Sequence, residues 1–86
     1  MPLNKVLAAA FEDEVVILDA DRGSLLLLDA WAVMVWRCCD GSTTEEIESS
    51  SKGPSARVHE TLQALTDAGL VLQVGTTWTK SPVEWV

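Results

Sequence analysis

The sequence predicts an α+β domain in which a three-stranded antiparallel sheet is followed by three helices and a C-terminal β-hairpin. Three observations support this prediction. Runs that favour strands fill the first third of the chain, apolar residues at helical spacing fill the middle, and two short alternating runs flank Gly75 near the end. The strands are joined by short connections, which predicts antiparallel pairing because a parallel return needs a crossover of about a dozen residues.

The first two strands are predicted over Val6 to Glu12 and Glu14 to Leu18, because both runs are rich in residues that favour strands. Glu12 and Asp13 lie between the runs and provide the turn of a hairpin. Residues 1–14 carry one lysine before a short apolar run that ends in acids. We therefore interpret this stretch as a strand and not as an export signal.

The third strand, Ser24 to Leu28, contains four consecutive leucines and follows a predicted turn over residues 19–23. A period of two places alternate leucines on opposite faces of the strand, so neither face suits water. In a meander this strand pairs with the second strand and keeps its other edge free. The alternative is that all four leucines belong to the core.

A first helix follows, and Asp29 is its predicted N-cap. The face that points into the core carries Ala32, Val35, Trp36 and Cys39. The opposite face is also apolar and carries Trp31, Met34 and Cys38. Two explanations stay open: the C-terminal segment with Trp78 or Trp85 covers this second face, or a partner protein does.

Two further helices complete the predicted fold. Asp40-Gly41 ends the first helix, and a capping box of Thr43 and Glu46 starts a second helix that runs through Ile47 and fades at residues 49–51. A third helix is predicted from Pro54 or Ser55 to about Ala68, with Gly69 after it. With the final hairpin as a wing, these elements amount to a winged helix-turn-helix.

Length and composition limit the classes of protein that remain. A chain of 86 residues predicts one domain over residues 1–80, with residues 81–86 as a loosely held C-terminal tail. No apolar run is long enough to span a bilayer. Cys38 and Cys39 are adjacent on a helix, where a disulfide between them would be strained, so we expect buried thiols in a reducing cytoplasm, with no metal and no cofactor.

The net charge of −7 argues against nucleic acid as a partner, because contacts to phosphates need clustered lysine and arginine. The predicted outward face of the third helix has two acids against one arginine, which disfavours docking in a DNA groove. An enzyme is not expected either. His59 is the one histidine of the chain, and no cysteine or serine is placed beside it as a nucleophile.

Peptide binding is the function class that remains, because an open strand edge can accept an extended peptide as one more strand. Beside the core stripe, the third helix carries a second stripe of mostly small residues: Arg57, Thr61, Ala64 and Ala68. If that stripe borders the leucine strand, the two leave a groove in which a peptide lies.

A series of motifs resembles the PqqD-like family, the recognition elements that bind the leader segments of ribosomally made, modified peptides. The series spans residues 5–72 and consists of Leu28-Asp29, Ala32-x-x-Val35-Trp36-x-x-Cys39-Asp40-Gly41, Thr43-x-x-Glu46-Ile47 and Val58-x-x-x-Leu62-x-x-Leu65-x-x-x-Gly69-Leu70. A free-standing acidic chain of this length is most similar to the members of the family that serve lasso-peptide biosynthesis.

The resemblance implies that a precursor's leader peptide docks antiparallel to the third strand, against the third helix. The peptide-binding residues that it implies are Ser24, Leu25, Leu26, Leu27, Leu28, Arg57, Val58, Thr61, Leu62 and Leu65. A transglutaminase-like leader peptidase and an ATP-dependent lasso cyclase would then act on the presented substrate. We assign Trp31 and Met34 to the surface that faces the peptidase, and Trp36 to the core.

Two departures from the family pattern stand out. The family usually has a large apolar residue after Ile47, where this chain has Ser50 and Ser51, and the leucine strand lacks an aromatic, so Phe11 or Trp78 would have to supply a pocket for one. Two alternatives to the lasso assignment stay open. One is a partner of a radical tailoring enzyme, and the other is an acidic winged-helix regulator or protein-interaction module.

Overall fold

The computed structural model describes residues 6–20 and 22–86. Residues 1–5, which include the first residue of the stretch that resembles the PqqD-like family, lie outside this range, as does Asp21 of the predicted turn. The chain divides into two compact units. The first unit runs through Val33 and includes Pro82–Val86, and the second is Met34–Ser81.

The first unit is built on a four-stranded sheet. Its strands are β1 (Val6–Phe11), β2 (Glu14–Asp19), β3 (Ser24–Leu28) and β7 (Glu84–Trp85). The order across the sheet is β3-β2-β1-β7, with β1, β2 and β3 antiparallel and β7 parallel to β1. Strands β1, β2 and β3 thus form an antiparallel meander with the leucine strand at its end, and the sheet has four strands where three were predicted.

The last strand differs from the sequence-based expectation of a loosely held tail. Glu84 lies opposite Leu7 and Trp85 opposite Ala8, so the end of the chain pairs with the outer edge of β1. The sequence gives little indication of this, because two residues carry no measurable periodicity and the pairing partner lies almost a chain length away.

Helix α1 (Ala30–Cys38) begins in the first unit and ends in the second. The Asp29 carboxylate accepts a hydrogen bond from the Ala32 amide at 2.8 Å, which confirms the predicted N-cap. Val35, Trp36 and Cys39 are buried as expected. The remaining member of the predicted core face, Ala32, is half-buried.

The second unit holds a three-stranded sheet and two helices. Its strands are β4 (Asp40–Thr43), β5 (Val71–Val74) and β6 (Thr77–Lys80), in the order β4-β6-β5, and its helices are α2 (Thr44–Ser51) and α3 (Ser55–Asp67). The Thr43–Glu46 capping box, the third helix and the C-terminal hairpin are confirmed. Ile47 is fully buried, as the single large apolar anchor of α2 must be.

Strand β4 replaces the simple helix stop predicted at Asp40-Gly41. Helix α1 ends at Cys38, and Gly41, with φ +77°, lies where the register of β4 against β6 shifts between Asp40 and Ser42. Glycine suits this position because a bulge places the extra residue in the left-handed region. Gly41 therefore belongs to an irregularity of strand β4, whereas the sequence predicted it as the end of a helix.

These elements confirm the predicted α+β class with three helices. In residues 6–20 and 22–86, no helix is long and apolar enough to cross a membrane.

Candidate functional site

Strand β3 is a terminal strand of the first sheet. Among the described residues, β2 pairs with one side of β3, with Val16 opposite Leu27 and Leu18 opposite Leu25, and no strand lies on the other side. The C-terminal strand β7 covers β1, at the far edge of the sheet. The border that the sequence predicted to be open is thus a border in the structure, and its residue range is the predicted one.

The hairpin that precedes β3 determines which backbone N–H and C=O groups of β3 point away from β2. Phe11 and Glu14 face each other across a two-residue turn, which makes them a hydrogen-bonded pair. Hydrogen-bonded and non-hydrogen-bonded pairs alternate along an antiparallel ladder. Ala8 therefore directs its N–H and C=O away from β2, and its carbonyl does accept a hydrogen bond from the Val86 amide on the β7 side at 2.9 Å.

The same alternation continues across β2 into β3. Val15 and Ile17 direct their backbone groups to β3, so their partners Leu28 and Leu26 direct theirs back to β2. Leu25 and Leu27 consequently direct their N–H and C=O groups away from β2, toward the edge of the sheet. The border thus presents two donors and two acceptors, spaced by two residues, in the arrangement that an added antiparallel strand needs.

Side chains on the two faces of this sheet differ in exposure. The inner face carries the buried side chains Ala8, Val15, Ile17 and Leu28. The other face, here called the outer face, carries Leu7, Ala9, Phe11, Val16, Leu18, Leu25 and Leu27 together with Glu14. Leu25 and Leu27 are 72% and 57% exposed, and Leu26, on the inner face, is 38% exposed. The predicted alternative that all four leucines belong to the core therefore holds for Leu28 alone.

The outer face was not singled out from the sequence. Its signal is nevertheless present, because the alternate residues of two neighbouring apolar strands, Val16 and Leu18 with Leu25 and Leu27, fall on one side once the register is known. Exposed apolar patches of this kind mark interaction surfaces. Phe11, the proposed aromatic for a pocket, lies on this face at 67% exposure, two strands away from β3.

The helix residues assigned to the peptide site all lie on α3, in the second unit. Val58, Leu62 and Leu65 are at most 2% exposed and form part of the core. Arg57 is exposed and Thr61 half-buried, and the Thr61 hydroxyl donates to the Arg57 carbonyl at 2.8 Å. Only these two of the five therefore present surface in the free chain, and their shared groove with β3 stays a prediction.

The residues assigned to a partner surface lie on α1. Trp31 is half-buried and belongs to the first unit, whereas Met34, 36% exposed, belongs to the second. Trp36 is 2% exposed, and its indole N–H donates to the Leu70 carbonyl at 3.1 Å, which fits the core role assigned to it. The role of Trp31 and Met34 toward a partner stays a prediction.

A small cleft of about 280 Å³ lies in the second unit and is lined by Thr44, His59, Leu62, Gln63, Gln73 and Trp78. The Trp78 indole N–H donates to the Thr44 hydroxyl at 2.9 Å, so the tryptophan proposed for a leader pocket is held against the start of α2. His59 lies 3.5 Å from Glu48 and is largely exposed. The cleft is thus lined by one hydroxyl, which accepts the Trp78 hydrogen bond, one imidazole, two amide side chains, one leucine and one indole.

The thiols and acids offer no metal site within residues 6–20 and 22–86, where no group of three or more His, Cys, Asp or Glu side chains converges. Cys38 and Cys39 are both free thiols. Burial, with a smaller effect of neighbouring Cys38, raises the pKa of Cys39 to about 11. Its Sγ donates to the Val35 carbonyl at 3.4 Å, so Cys39 is an unreactive core residue.

Comparison with known proteins identifies the family of this chain. A family model described as coenzyme PQQ synthesis protein D (PqqD) matches residues 14–71, well over half of the chain. The chain belongs to the PqqD family. The match covers β2, β3 and all three helices of this PqqD-family chain, and it confirms the family resemblance identified from the sequence motifs.

A solved structure with a similar fold is "TbiB1 in Complex with the TbiA(beta) Leader Peptide". It is 27% identical to this PqqD-family chain, with a TM-score of 0.62, and the match covers 79% of this chain and 90% of TbiB1. No curated protein matches the chain.

Proposed function

We propose that this PqqD-family chain is a non-catalytic adaptor that binds the leader segment of a ribosomally made precursor peptide. The leader adds to β3 as one more antiparallel strand. The observation that carries the proposal is the position of β3 at a border of the sheet, with exposed Leu25 and Leu27. The similarity to TbiB1, a protein seen with a leader peptide, supports it.

The border alone does not supply the affinity of a useful adaptor. Four backbone hydrogen bonds contribute about 2–6 kcal/mol in total, whereas a micromolar Kd corresponds to about 8 kcal/mol. Association also costs translational and rotational freedom. Side-chain contacts must therefore supply much of the binding energy, and the exposed leucines of β3 are the apolar surface that lies nearest to the added strand.

The finer parts of the proposal come from the family resemblance. We propose a lasso precursor as the substrate, the winged helix-turn-helix arrangement as the scaffold over residues 1–80, and Arg57 and Thr61 as further peptide contacts. The bound leader would be presented to a transglutaminase-like peptidase, with Trp31 and Met34 facing it, and to an ATP-dependent cyclase. The free thiols of Cys38 and Cys39 fit a cytoplasmic location.

Titration with synthetic leader peptides, the TbiA(beta) leader among them, tests the proposal. We expect a Kd in the micromolar range or tighter for a cognate leader, and no binding of a promoter-length DNA duplex at low salt, because the chain carries a net charge of −7. Binding of the duplex together with failure of every leader would favour the winged-helix regulator instead.

A second measurement addresses the peptidase surface. Addition of the partner peptidase should change Trp31 fluorescence, and Met34→Asp should weaken that association while leaving the Kd for the leader unchanged. Unaltered association of the Met34→Asp variant would remove this surface from the proposal without affecting leader binding.

A further inference from the structure

We infer that the bound peptide is recognised through a pair of apolar side chains at positions i and i+2, which lie directly opposite Leu25 and Leu27. The inference rests on the proposed function and specifies the ligand for the same border. It follows from the backbone direction of β3, the exposure of its side chains and the composition of the outer face.

The backbone sets the register. Leu25 and Leu27 are the β3 residues whose N–H and C=O groups face outward, so the two peptide residues that exchange hydrogen bonds with them are separated by one residue. The intervening peptide residue, opposite Leu26, makes no hydrogen bond to β3. Its own N–H and C=O groups face away from the sheet.

The pleat of the strands then determines which peptide side chains contact which leucines of β3. Residues directly opposite each other in a ladder project to the same face, so the peptide side chains at i and i+2 project to the outer face beside Leu25 and Leu27. The intervening side chain projects to the inner face with Leu26. The two hydrogen-bonded peptide residues are therefore also the ones that contact Leu25 and Leu27, the two most exposed leucines of β3, whereas the intervening residue lies beside Leu26, which is 38% exposed.

The chemistry of the outer face selects apolar side chains at both positions. Leu25 and Leu27 are 72% and 57% exposed in the free chain, and their neighbours across the ladder are Leu18 and Val16. A charged peptide side chain would lose hydration there without gaining a partner, whereas an apolar side chain removes apolar surface of its own and of the leucine from water. β-Branched and aromatic residues suit both positions, because they pack well across a ladder.

The hydrogen-bonding register of β3 can be tested on the unbound protein. In amide hydrogen exchange followed by NMR, Leu26 and Leu28 should exchange slowly because their amides bond to β2, and Leu25 and Leu27 should exchange fast. Fast exchange at Leu26 and Leu28 with protection at Leu25 and Leu27 would overturn the register.

The ligand pattern is tested with a library of displayed random peptides selected on the folded chain, with subtraction on a Leu27→Asp variant. We expect enriched sequences that share two apolar residues separated by one variable residue. Circular dichroism establishes that the Leu27→Asp variant is folded, and Leu25→Asp replaces it if it is not. Enrichment of peptides without this spacing would overturn the inference and leave the proposed function standing.

N-methylation of an enriched peptide completes the test. A methyl group on the amide of residue i or i+2 should weaken binding about tenfold or more, since it removes a hydrogen bond and holds the strands apart. Methylation at the intervening residue should leave the Kd nearly unchanged. Equal effects at all three positions would overturn the register, and absence of any enriched peptide in the selection would overturn the proposed function itself.

Discussion

The amide of Val86 donates to the carbonyl of Ala8 at 2.9 Å, so the end of the chain is tied to the outer edge of β1. The sheet order β3-β2-β1-β7 places this contact at the border opposite to β3. A C-terminal segment that paired with β3 would have removed the proposed peptide site. Its pairing with β1 instead protects one border of the sheet, and among the described residues the leucine border has no strand partner, as the proposed site requires.

Replacement of Leu27 by Asp should weaken leader binding at least about tenfold, because a carboxylate would then lie beside the apolar side chain of the added strand. Leu72→Asp on β5 is a matched control, since Leu72 is 56% exposed and Leu27 57%. Isothermal titration gives the Kd and thermal unfolding shows that both variants are folded. Equal weakening by both substitutions would indicate that β3 is not the site.

A bulky residue at Thr61 should also weaken leader binding if α3 contacts the peptide as predicted. Thr61→Trp is compared with Glu60→Trp, which adds the same side chain to the next residue of α3. We expect the Thr61 variant to lose affinity severalfold and the Glu60 variant to bind normally. Normal binding by a folded Thr61→Trp variant would confine the site to β3 and its surroundings.

Proline at position 86 should release β7, because proline lacks the amide that donates to Ala8. Val86→Ala keeps that amide and serves as the control. We expect Val86→Pro to lower the free energy of unfolding by about 1 kcal/mol relative to Val86→Ala, measured in urea. Sedimentation should also reveal more self-association, as expected for a newly open strand edge. Identical behaviour of the two variants would show that β7 contributes nothing to stability.

Trp36 is expected to act on stability and not on binding. Trp36→Phe removes the buried hydrogen bond to the Leu70 carbonyl and part of a core side chain, which should cost about 1–3 kcal/mol. Trp85→Phe, at a residue that is 53% exposed, should change stability by less than about 0.5 kcal/mol. Urea unfolding measures both. A loss of leader affinity in folded Trp36→Phe would place this residue in the site.

The stability of the fold should fall at alkaline pH because of Cys39. Burial raises the pKa of this thiol from its ordinary 9.0 to about 11 in the folded chain, so the folded state holds the proton more tightly than the unfolded state. The resulting stabilisation is fully present below pH 9 and is lost as the pH rises to 11. Urea unfolding at intervals of pH should show a steeper decline for the wild type than for Cys39→Ala, and parallel curves would contradict the assignment.

Local chemistry determined most of the elements that could be predicted from the sequence. Asp29, Thr43 and Glu46 cap helices with their own side chains, and the β-branched run of β2 and the leucines of β3 favour strands within a few residues. The family motifs follow the same local order along the chain. The caps and strands depend on neighbours in sequence, and the structure confirms them.

Only the tertiary structure decided the elements that depend on distant partners. Asp40–Thr43 has a composition typical of a turn and becomes β4 because β6, more than thirty residues later, pairs with it. Glu84–Trp85 becomes a strand because β1 offers an unpaired edge. The strand order and the hydrogen-bonding register that direct Leu25 and Leu27 outward are likewise properties of the whole sheet, because backbone groups alternate in direction and their partners are assigned only when all strands are in place.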